Sequence, residues 1–156
     1  MLPAPPSGKR PLRRGACWVT LRPMRILVSN DDGIEAPGLR ALAEGLLELG
    51  EVAVCAPDRE QSATSRSISL HRPLRIEQLP PWGPDGQIQR WSVDGTPTDA
   101  VYIGLNQVLK GRAPDLVASG INRGPNLAND VHYSGTVAAA MEGCVGGVPR
   151  DRKSVV

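Results

Sequence analysis

The sequence predicts an α/β protein, a three-layer Rossmann-like sandwich built around a mainly parallel sheet. Short apolar runs of the kind that parallel sheets bury on both faces recur along the chain. A polar loop and then apolar residues at helical spacing follow such a run three times, without a sequence repeat. Because sites in such sheets lie beyond the carboxyl ends of the strands, functional residues are expected in the loops that follow the apolar runs.

The first strand–helix–strand unit covers residues 24–56. Residues 26–28 predict a buried strand, and residues 52–55 predict a second one beside it. Between them, Pro37 suits the first turn of a helix, and Gly50 is expected to end that helix. The predicted inner face of the helix is apolar: Leu39, Leu42, Ala43, Leu46 and Leu47.

The pattern weakens in residues 58–89, which are rich in Ser, Arg and Pro. Short strands are predicted here at 68–70 and 74–76. Residues 91–93 have the composition of a strand end. This part of the chain therefore connects two better-defined units.

A second helix and a third buried strand follow. Residues 95–109 predict a helix with Thr96 as its N-cap and Pro97 at its first position. Residues 115–119 predict a strand whose tip is expected beside that of the first strand. A loop rich in Gly and Asn then leads to the helical segment 136–142.

The two ends of the chain differ from its middle. Residues 1–23 hold five prolines and five basic residues but no acidic one. They are interpreted as a disordered N-terminal extension, with an Arg-rich transit peptide as the alternative. Residues 24–149 form the predicted domain, and residues 150–156 form an atypical tail.

Composition argues against several classes of protein. Residues 24–149 contain ten Lys or Arg and fifteen Asp or Glu, a net charge of −5, which disfavours binding to duplex nucleic acid. Aromatic residues make up 3% of the chain, too few for stacking single-stranded bases. No apolar run reaches the roughly 20 residues of a membrane-spanning helix. Three widely spaced cysteines argue against a disulfide framework or zinc site and favour the cytoplasm, and Cys55 is predicted to lie in the core.

The first candidate site is the pair Asp31 and Asp32, directly after the first strand. Two carboxylates about 4 Å apart repel each other by around 4 kcal/mol at an effective dielectric constant of about 20, and a bound cation offsets that repulsion. Oxygen ligands favour Mg²⁺, Mn²⁺ or Ca²⁺ over zinc. The alternative is a solvated turn in which one carboxylate caps a helix.

Three more polar clusters follow predicted strands. Residues 58–69 bring hydroxyl groups and arginines, Asn122 and Asn126 lie among glycines, and residues 134–136 open a helix. A helix amino terminus attracts phosphate, and a glycine there allows close approach. Ordinary loops and an N-cap serine are the alternatives. Taken together, the clusters predict a hard-cation site beside an anion site, which favours phosphate chemistry, although no phosphate-binding loop of the ATPase type is present.

Four segments resemble the SurE (survival protein E) family. In order they are MRILVSNDDGIEAPGL, APDREQSATSRSISLHRPLR, GTPTDAVYIGLN and PDLVASGINRGPNLANDVHYSGTVAAAMEG, and the resemblance covers residues 24 to about 149. It implies a SurE-like fold and a metal-dependent phosphomonoesterase, a 5′-nucleotidase that converts nucleoside 5′- and 3′-monophosphates to nucleoside and phosphate. It also implies homodimers or tetramers.

The resemblance also assigns roles to particular residues. It implies one divalent cation, Mg²⁺ or Mn²⁺, with four ligands: Asp31, Asp32, Ser62 and Asn122. It further implies that phosphate is held by one asparagine and by a helix start: Asn126, Ser134, Gly135 and Thr136. The expected catalytic residues are Asp32, which is the preferred general base, and Asp31.

The sequence departs from the family pattern at two places. Glu60 and Gln61 stand where the family usually has Asn and Arg, which removes an arginine contact to phosphate. After Pro149 the family continues with an apolar strand, whereas this chain continues with RDRKSVV. The later strands and the oligomerisation arm are therefore expected to be missing. The resulting unpaired edges and exposed apolar faces predict low stability.

Two other classes remain open at this point. A receiver-type signalling domain also binds Mg²⁺ through an acidic pair, but it needs an Asp at another strand end and a nearby Lys. Here the third strand ends in Ser119, and Lys110 is the only lysine between residues 24 and 149. The other alternative is a nucleotide-binding module without catalytic activity.

Overall fold

The computed structural model describes residues 23–61, 67–123 and 134–154. The strands in these residues are β1 Met24–Ser29, β2 Gly50–Pro57, β3 Ile76–Trp82, β4 Ile88–Val93, β5 Leu116–Asn122 and β6 Arg150–Ser154. They form one sheet in the order β3-β4-β2-β1-β5-β6. β3 runs antiparallel to β4, whereas the other neighbours are parallel. The predicted α/β class and mainly parallel sheet are confirmed.

Helices cover both faces of this sheet: α1 Pro37–Leu46, α2 Pro97–Ile103 and α3 Gly135–Val145. Alternate residues of β1 point to opposite faces. Ile26 therefore packs in the cluster that contains Leu39 of α1, and Leu27 packs in the cluster that contains Val101 of α2. These two cores make the predicted three layers. Among the described residues, no helix is both long enough and apolar enough to cross a bilayer.

The first strand–helix–strand unit forms as predicted, except at the end of the helix. α1 begins at Pro37 and ends at Leu46, so it stops before Gly50. Gly50 is instead the first residue of β2. A Cβ atom at Gly50 would lie 2.0 Å from the carbonyl oxygen of Met24, so glycine allows the two strands to start side by side.

The predicted strand at 68–70 is wrong, and the one at 74–76 is misplaced. Residues 67–75 contain no strand, and β3 begins at Ile76. β3 is a mostly exposed edge strand that contains Pro80 and Pro81, and its register with β4 shifts between Leu79 and Trp82. Proline is tolerated in edge strands and bulges, but it interrupts the pattern of residues from which a strand is predicted.

The predicted helix 95–109 is divided in the structure. Thr96 is the N-cap as predicted, and its side chain and that of Asp99 form a capping box. After Ile103 the helix widens into a π turn, Gly104–Val108. A Cβ atom at Gly104 would lie 2.8 Å from Leu27, so this residue packs too closely against the sheet for a larger side chain.

The last strands extend beyond their predicted limits. β5 runs on from Ser119 to Asn122, which places Asn122 at a strand end. Residues 150–154, assigned to the atypical tail, form β6 and pair in parallel with β5. The predicted extension, residues 1–23, lies outside the described residues apart from Pro23.

Cys55 lies in the core as predicted. The side chain is fully buried in the cluster that faces α2. This burial raises the pKa of the Cys55 thiol to about 12, despite a hydrogen bond with the Gly104 backbone that acts in the opposite direction. The thiol therefore stays protonated at neutral pH and serves packing.

Candidate functional site

The candidate site lies where β1 and β5 end side by side. The two strands are parallel neighbours, with Ser29 opposite Ser119 in the register. Asp31 and Asp32 follow β1 after one intervening residue, Asn30, and Asn122 is the last residue of β5. The strand pairing therefore brings two carboxylates and one amide to the same edge of the sheet.

The loop that carries the two aspartates is fixed to the neighbouring strand β2. The Asn30 amide donates a hydrogen bond to the Gly33 carbonyl at 3.1 Å. The Ile34 N–H donates to the Pro57 carbonyl, at the end of β2, at 2.8 Å. Gly33 has a φ of +100°, and a Cβ atom there would lie 3.0 Å from the backbone of Arg59. Glycine is therefore required at this point of the loop.

Asp31 is the buried member of the pair, with 8% of its surface exposed. Its backbone carbonyl accepts a hydrogen bond from the Gln61 N–H at 2.7 Å. Its carboxylate Oδ1 accepts a hydrogen bond from the Thr136 hydroxyl in the first turn of α3. A Cβ atom on Gly135 would lie 2.5 Å from the Asp31 Cβ. The helix start that the sequence predicts to attract an anion therefore packs against the carboxylate of Asp31, whose negative charge the helix dipole favours.

Thr136 also contacts the side chain from β5. Its hydroxyl oxygen lies 3.0 Å from Oδ1 of Asn122, and Thr136 itself is fully buried. A hydroxyl group has one proton, so it donates to only one of its two neighbouring oxygens at a time. The charged carboxylate of Asp31 is the stronger acceptor. One hydroxyl thus links the ends of two strands to the start of α3.

Asp32 is more open than Asp31 and faces a cleft. Its Oδ2 accepts a hydrogen bond from the backbone N–H of Arg123 at 3.3 Å. Partial burial is the main reason why the pKa of Asp32 is raised above its usual value, and the negative charge of Asp31 is the next. The hydrogen bond from Arg123 lowers this pKa, and the charge of Glu60 raises it.

The cleft beside Asp32 has a volume of about 540 Å³, which is within the usual range for small-molecule sites. One wall is apolar and the other residues are polar: Ala36, Pro37, Gly38 and Ile121, then Asp32, Glu60, Asn122 and Arg123. The side-chain oxygens of Asp31, Asp32 and Asn122 are called the oxygen cluster below. Because Asp32 and Asn122 line the cleft, a ligand there would contact this cluster. Ile121 and Arg123 have no role in the sequence-based prediction, although their position beside Asn122 at a strand end is the signal for them.

The other predicted site residues divide into two groups. Ser134 is the N-cap of α3, where its hydroxyl accepts a hydrogen bond from the Val137 N–H at 3.3 Å. Ser134 therefore has the capping role that was the alternative to phosphate binding. Ser62 and Asn126 lie outside the described residues.

The oxygen cluster suits a hard divalent cation. Carboxylate and amide oxygens, as in Asp31, Asp32 and Asn122, are the ligands that Mg²⁺ prefers. The described residues contain no group of three or more His, Cys, Asp or Glu arranged to hold a metal ion. A cation at this site would therefore need neutral oxygens as well as the two carboxylates. The Thr136 hydroxyl has one proton but faces two oxygens, Oδ1 of Asp31 and Oδ1 of Asn122. A cation nearby would therefore also reduce the repulsion between the lone pairs of these oxygen atoms.

The fold and the site together define a Rossmann-like α/β protein with an oxygen-lined site at the carboxyl ends of its parallel strands. The family model described as "Survival protein SurE" matches residues 26–150. The chain belongs to the SurE family.

Similar proteins extend this assignment. The 5′-nucleotidase SurE of Anaeromyxobacter sp. (strain Fw109-5) is 65% identical over 126 residues, which cover 80% of this chain and 46% of the relative. The 5′-nucleotidase SurE of Myxococcus xanthus (strain DK1622) is 57% identical over 136 residues, or 86% and 49% of the two chains. The crystal structure of the SurE protein from Aquifex aeolicus matches with a TM-score of 0.70 and 44% identity, and the match covers 81% of this chain and 48% of that one. The chain spans about half the length of these relatives.

Proposed function

We propose that this chain carries the active site of a metal-dependent phosphomonoesterase that hydrolyses nucleoside 5′- and 3′-monophosphates to nucleoside and phosphate. The observation that carries the proposal is the meeting of Asp31, Asn122 and Thr136, from three different elements, beside an open cleft. Relatives named 5′-nucleotidase SurE support the nucleoside 5′-monophosphates as substrates, whereas the 3′-monophosphates are included because the family resemblance implies them.

One divalent cation, Mg²⁺ or Mn²⁺, is the proposed cofactor. Asp31, Asp32 and Asn122 would hold it, with Ser62 as the fourth ligand that the family resemblance implies. When bound, such a cation neutralises charge on phosphoryl oxygens and lowers the pKa of water. The oxygen-only chemistry of the described ligands supports this choice of metal.

The two aspartates have different proposed tasks. The carboxylate of Asp31 is buried against α3 and engaged by Thr136, so it serves as a fixed ligand. Asp32 lines the cleft, and this position supports a role for its carboxylate as the acceptor of a proton from the water that attacks the phosphate ester. The phosphate group is proposed to lie near the start of α3 and Asn126.

The cleft is the proposed site for the nucleoside part of the substrate. Pro37 and Ile121 supply apolar surface against which a base can pack. Glu60 accepts hydrogen bonds from hydroxyl or amino groups, and Arg123 donates hydrogen bonds to carbonyl oxygens or ring nitrogens. The substrate would thus extend from the oxygen cluster into the cleft.

A cytoplasmic location and the homodimers or tetramers of the family are part of the same proposal. Three widely spaced cysteines favour the first, and the family resemblance implies the second, for which the oligomerisation arm expected to be missing here would be needed. Duplex nucleic acid and membranes are not proposed as partners. The net charge of −5 in residues 24–149 supports the first of these exclusions, since a negatively charged domain is repelled by a phosphate backbone.

Phosphate release from nucleoside monophosphates, measured on the purified chain with and without Mn²⁺, tests the proposal. We expect Asp32→Asn to lower kcat by about 100-fold or more, as loss of a general base does. The matched control is Asp85→Asn, which removes the same charge from the exposed turn Pro84–Gly86 and should leave activity unchanged. Full activity in the Asp32 variant would refute the assignment.

Two further outcomes would favour the alternative classes. Nucleotide binding without phosphate release would indicate a non-catalytic module. An acyl phosphate on an aspartate would indicate a receiver-type domain. The geometry gives the receiver little support at β5, the parallel neighbour of β1. This strand ends in Asn122, and Asp115, whose Oδ2 accepts a hydrogen bond from the Arg25 N–H at 2.9 Å, lies before it.

A further inference from the structure

We infer that Thr136 is a positioning residue whose hydroxyl orients two ligands of the proposed cation, Asp31 and Asn122, and that this hydroxyl does not contact the phosphate group. The inference rests on the proposed metal site and deepens it. It also differs from the family resemblance, which implies that Thr136 helps to hold phosphate.

Burial is the first step of the argument. Thr136 is fully buried, whereas Ser134, two residues earlier, is partly exposed at the start of the same helix. A phosphate group needs hydrogen-bond donors, and the only polar group in a threonine side chain is one hydroxyl with one proton. In this structure that hydroxyl donates to Oδ1 of Asp31. It therefore has no second proton for a phosphate oxygen.

The second step is the position of the hydroxyl between the two ligand side chains. Asp31 comes from the end of β1 and Asn122 from the end of β5, and the Thr136 hydroxyl lies within hydrogen-bond distance of both. Gly135 lets α3 approach Asp31 closely enough for this contact. Such outer groups set the direction of metal ligands, and their loss typically lowers metal affinity by 10–100-fold.

Calorimetric titration of the metal-free chain with Mn²⁺ tests the inference directly. We expect Thr136→Val, which replaces the hydroxyl by a methyl group of similar size, to weaken Mn²⁺ binding by about 10–100-fold. Thr136→Ser keeps the hydroxyl and should restore affinity to near the wild-type value. Thr98→Val is the matched control, because Thr98 is a buried threonine in the first turn of α2 whose hydroxyl has no hydrogen-bond partner within the described part of the chain. Its Mn²⁺ affinity should equal that of the wild type.

A second readout separates positioning from phosphate binding. With Mn²⁺ at saturation, the positioning role predicts that Thr136→Val keeps a KM for nucleotide close to the wild-type value. Wild-type Mn²⁺ affinity together with a raised KM would overturn the inference and support a phosphate contact. If the Val variant does not fold, the Mn²⁺ affinity and the KM of Thr136→Ala are measured in its place. This variant removes the hydroxyl without placing a methyl group against Asp31.

The same titration distinguishes this inference from the proposed function. Weaker Mn²⁺ binding in Thr136→Val, in a chain that releases no phosphate from nucleotides, would support the positioning role while contradicting the nucleotidase activity. A wild-type chain that binds no Mn²⁺ would overturn the inference.

Discussion

Asp31 and Asp32 are adjacent in the sequence, yet the fold places their carboxylates in different surroundings. Asp31 is packed against α3, and Asp32 faces the cleft. The sequence predicts the pair and its place after a strand. It does not predict which of the two is buried, because that depends on Thr136, which is 105 residues away along the chain. The chemical difference between two neighbouring acids is thus a property of tertiary structure.

A pH-dependent contribution to stability is expected from Asp94, between β4 and α2. Its carboxylate accepts hydrogen bonds from the Arg75 N–H at 2.7 Å and from the Arg72 guanidinium at 3.0 Å. The bond from Arg75, followed by that from Arg72, lowers the pKa of Asp94 below its usual value. The resulting stabilisation is present above the unfolded pKa of about 3.9 and is lost as the pH falls through the lower pKa of the folded state.

Urea denaturation of the wild type and of Asp94→Asn between pH 2 and 7 checks this expectation. The variant should be less stable than the wild type near neutral pH, and the difference should shrink in acid, where Asp94 of the wild type also becomes neutral. Asp85→Asn serves as the control for loss of one surface carboxylate. A difference between wild type and Asp94→Asn that stays constant across this range would contradict the role assigned to the charge.

At the scale of single elements, strands were predictable where burial on both faces produces a continuous apolar run. β1 and β2 are such strands. β3 is mostly exposed and contains two prolines, and β6 has the sequence RDRKS, so neither has an apolar pattern. Both are strands because a neighbouring strand pairs with them, and that information lies elsewhere in the chain. The π turn after α2 has no sequence pattern of its own either, and its first residue, Gly104, packs closely against Leu27 of the sheet, which is distant in the chain.

Substitution by alanine is expected to change the free energy of unfolding in opposite directions at two glycines that lie in helices. At Gly135, in the first turn of α3, the new Cβ would lie 2.5 Å from the Asp31 Cβ, which real atoms do not tolerate. We expect Gly135→Ala to lower the free energy of unfolding by about 1–3 kcal/mol, as overpacking does, and to weaken Mn²⁺ binding.

Gly45, inside α1, is the matched control, because a Cβ there would have no atom within 4 Å. Gly45→Ala should raise the free energy of unfolding by at most roughly 0.5–1 kcal/mol, since alanine favours the helix and Gly45 lies one residue before its end. Urea denaturation and Mn²⁺ titration measure both variants. Equal stabilisation by the two substitutions would show that α3 does not press on Asp31.

At the scale of the whole molecule, the site depends on the order of strands in the sheet. Its described residues come from positions as distant as 31 and 136, and they meet because β1 and β5 are neighbours inside the sheet with α3 packed over their ends. β5 has β1 on one side and β6 on the other. The pairing of β6 therefore supports the strand that carries Asn122, although β6 itself contributes no residue to the described site.

Removal of residues 150–156 tests this support. The register pairs four residues of β6 with β5, the last being Ser154 with Asn122. Because a backbone hydrogen bond between strands contributes a net ~0.5–1.5 kcal/mol, we expect the deletion to lower the free energy of unfolding by about 1–4 kcal/mol. Deletion of residues 155–156 alone keeps the whole of β6 and is the control. Mn²⁺ affinity should fall with the longer deletion, because Asn122 would then end an edge strand with one side unpaired. Unchanged stability and affinity would mean that β1 and α3 hold Asn122 without help from β6.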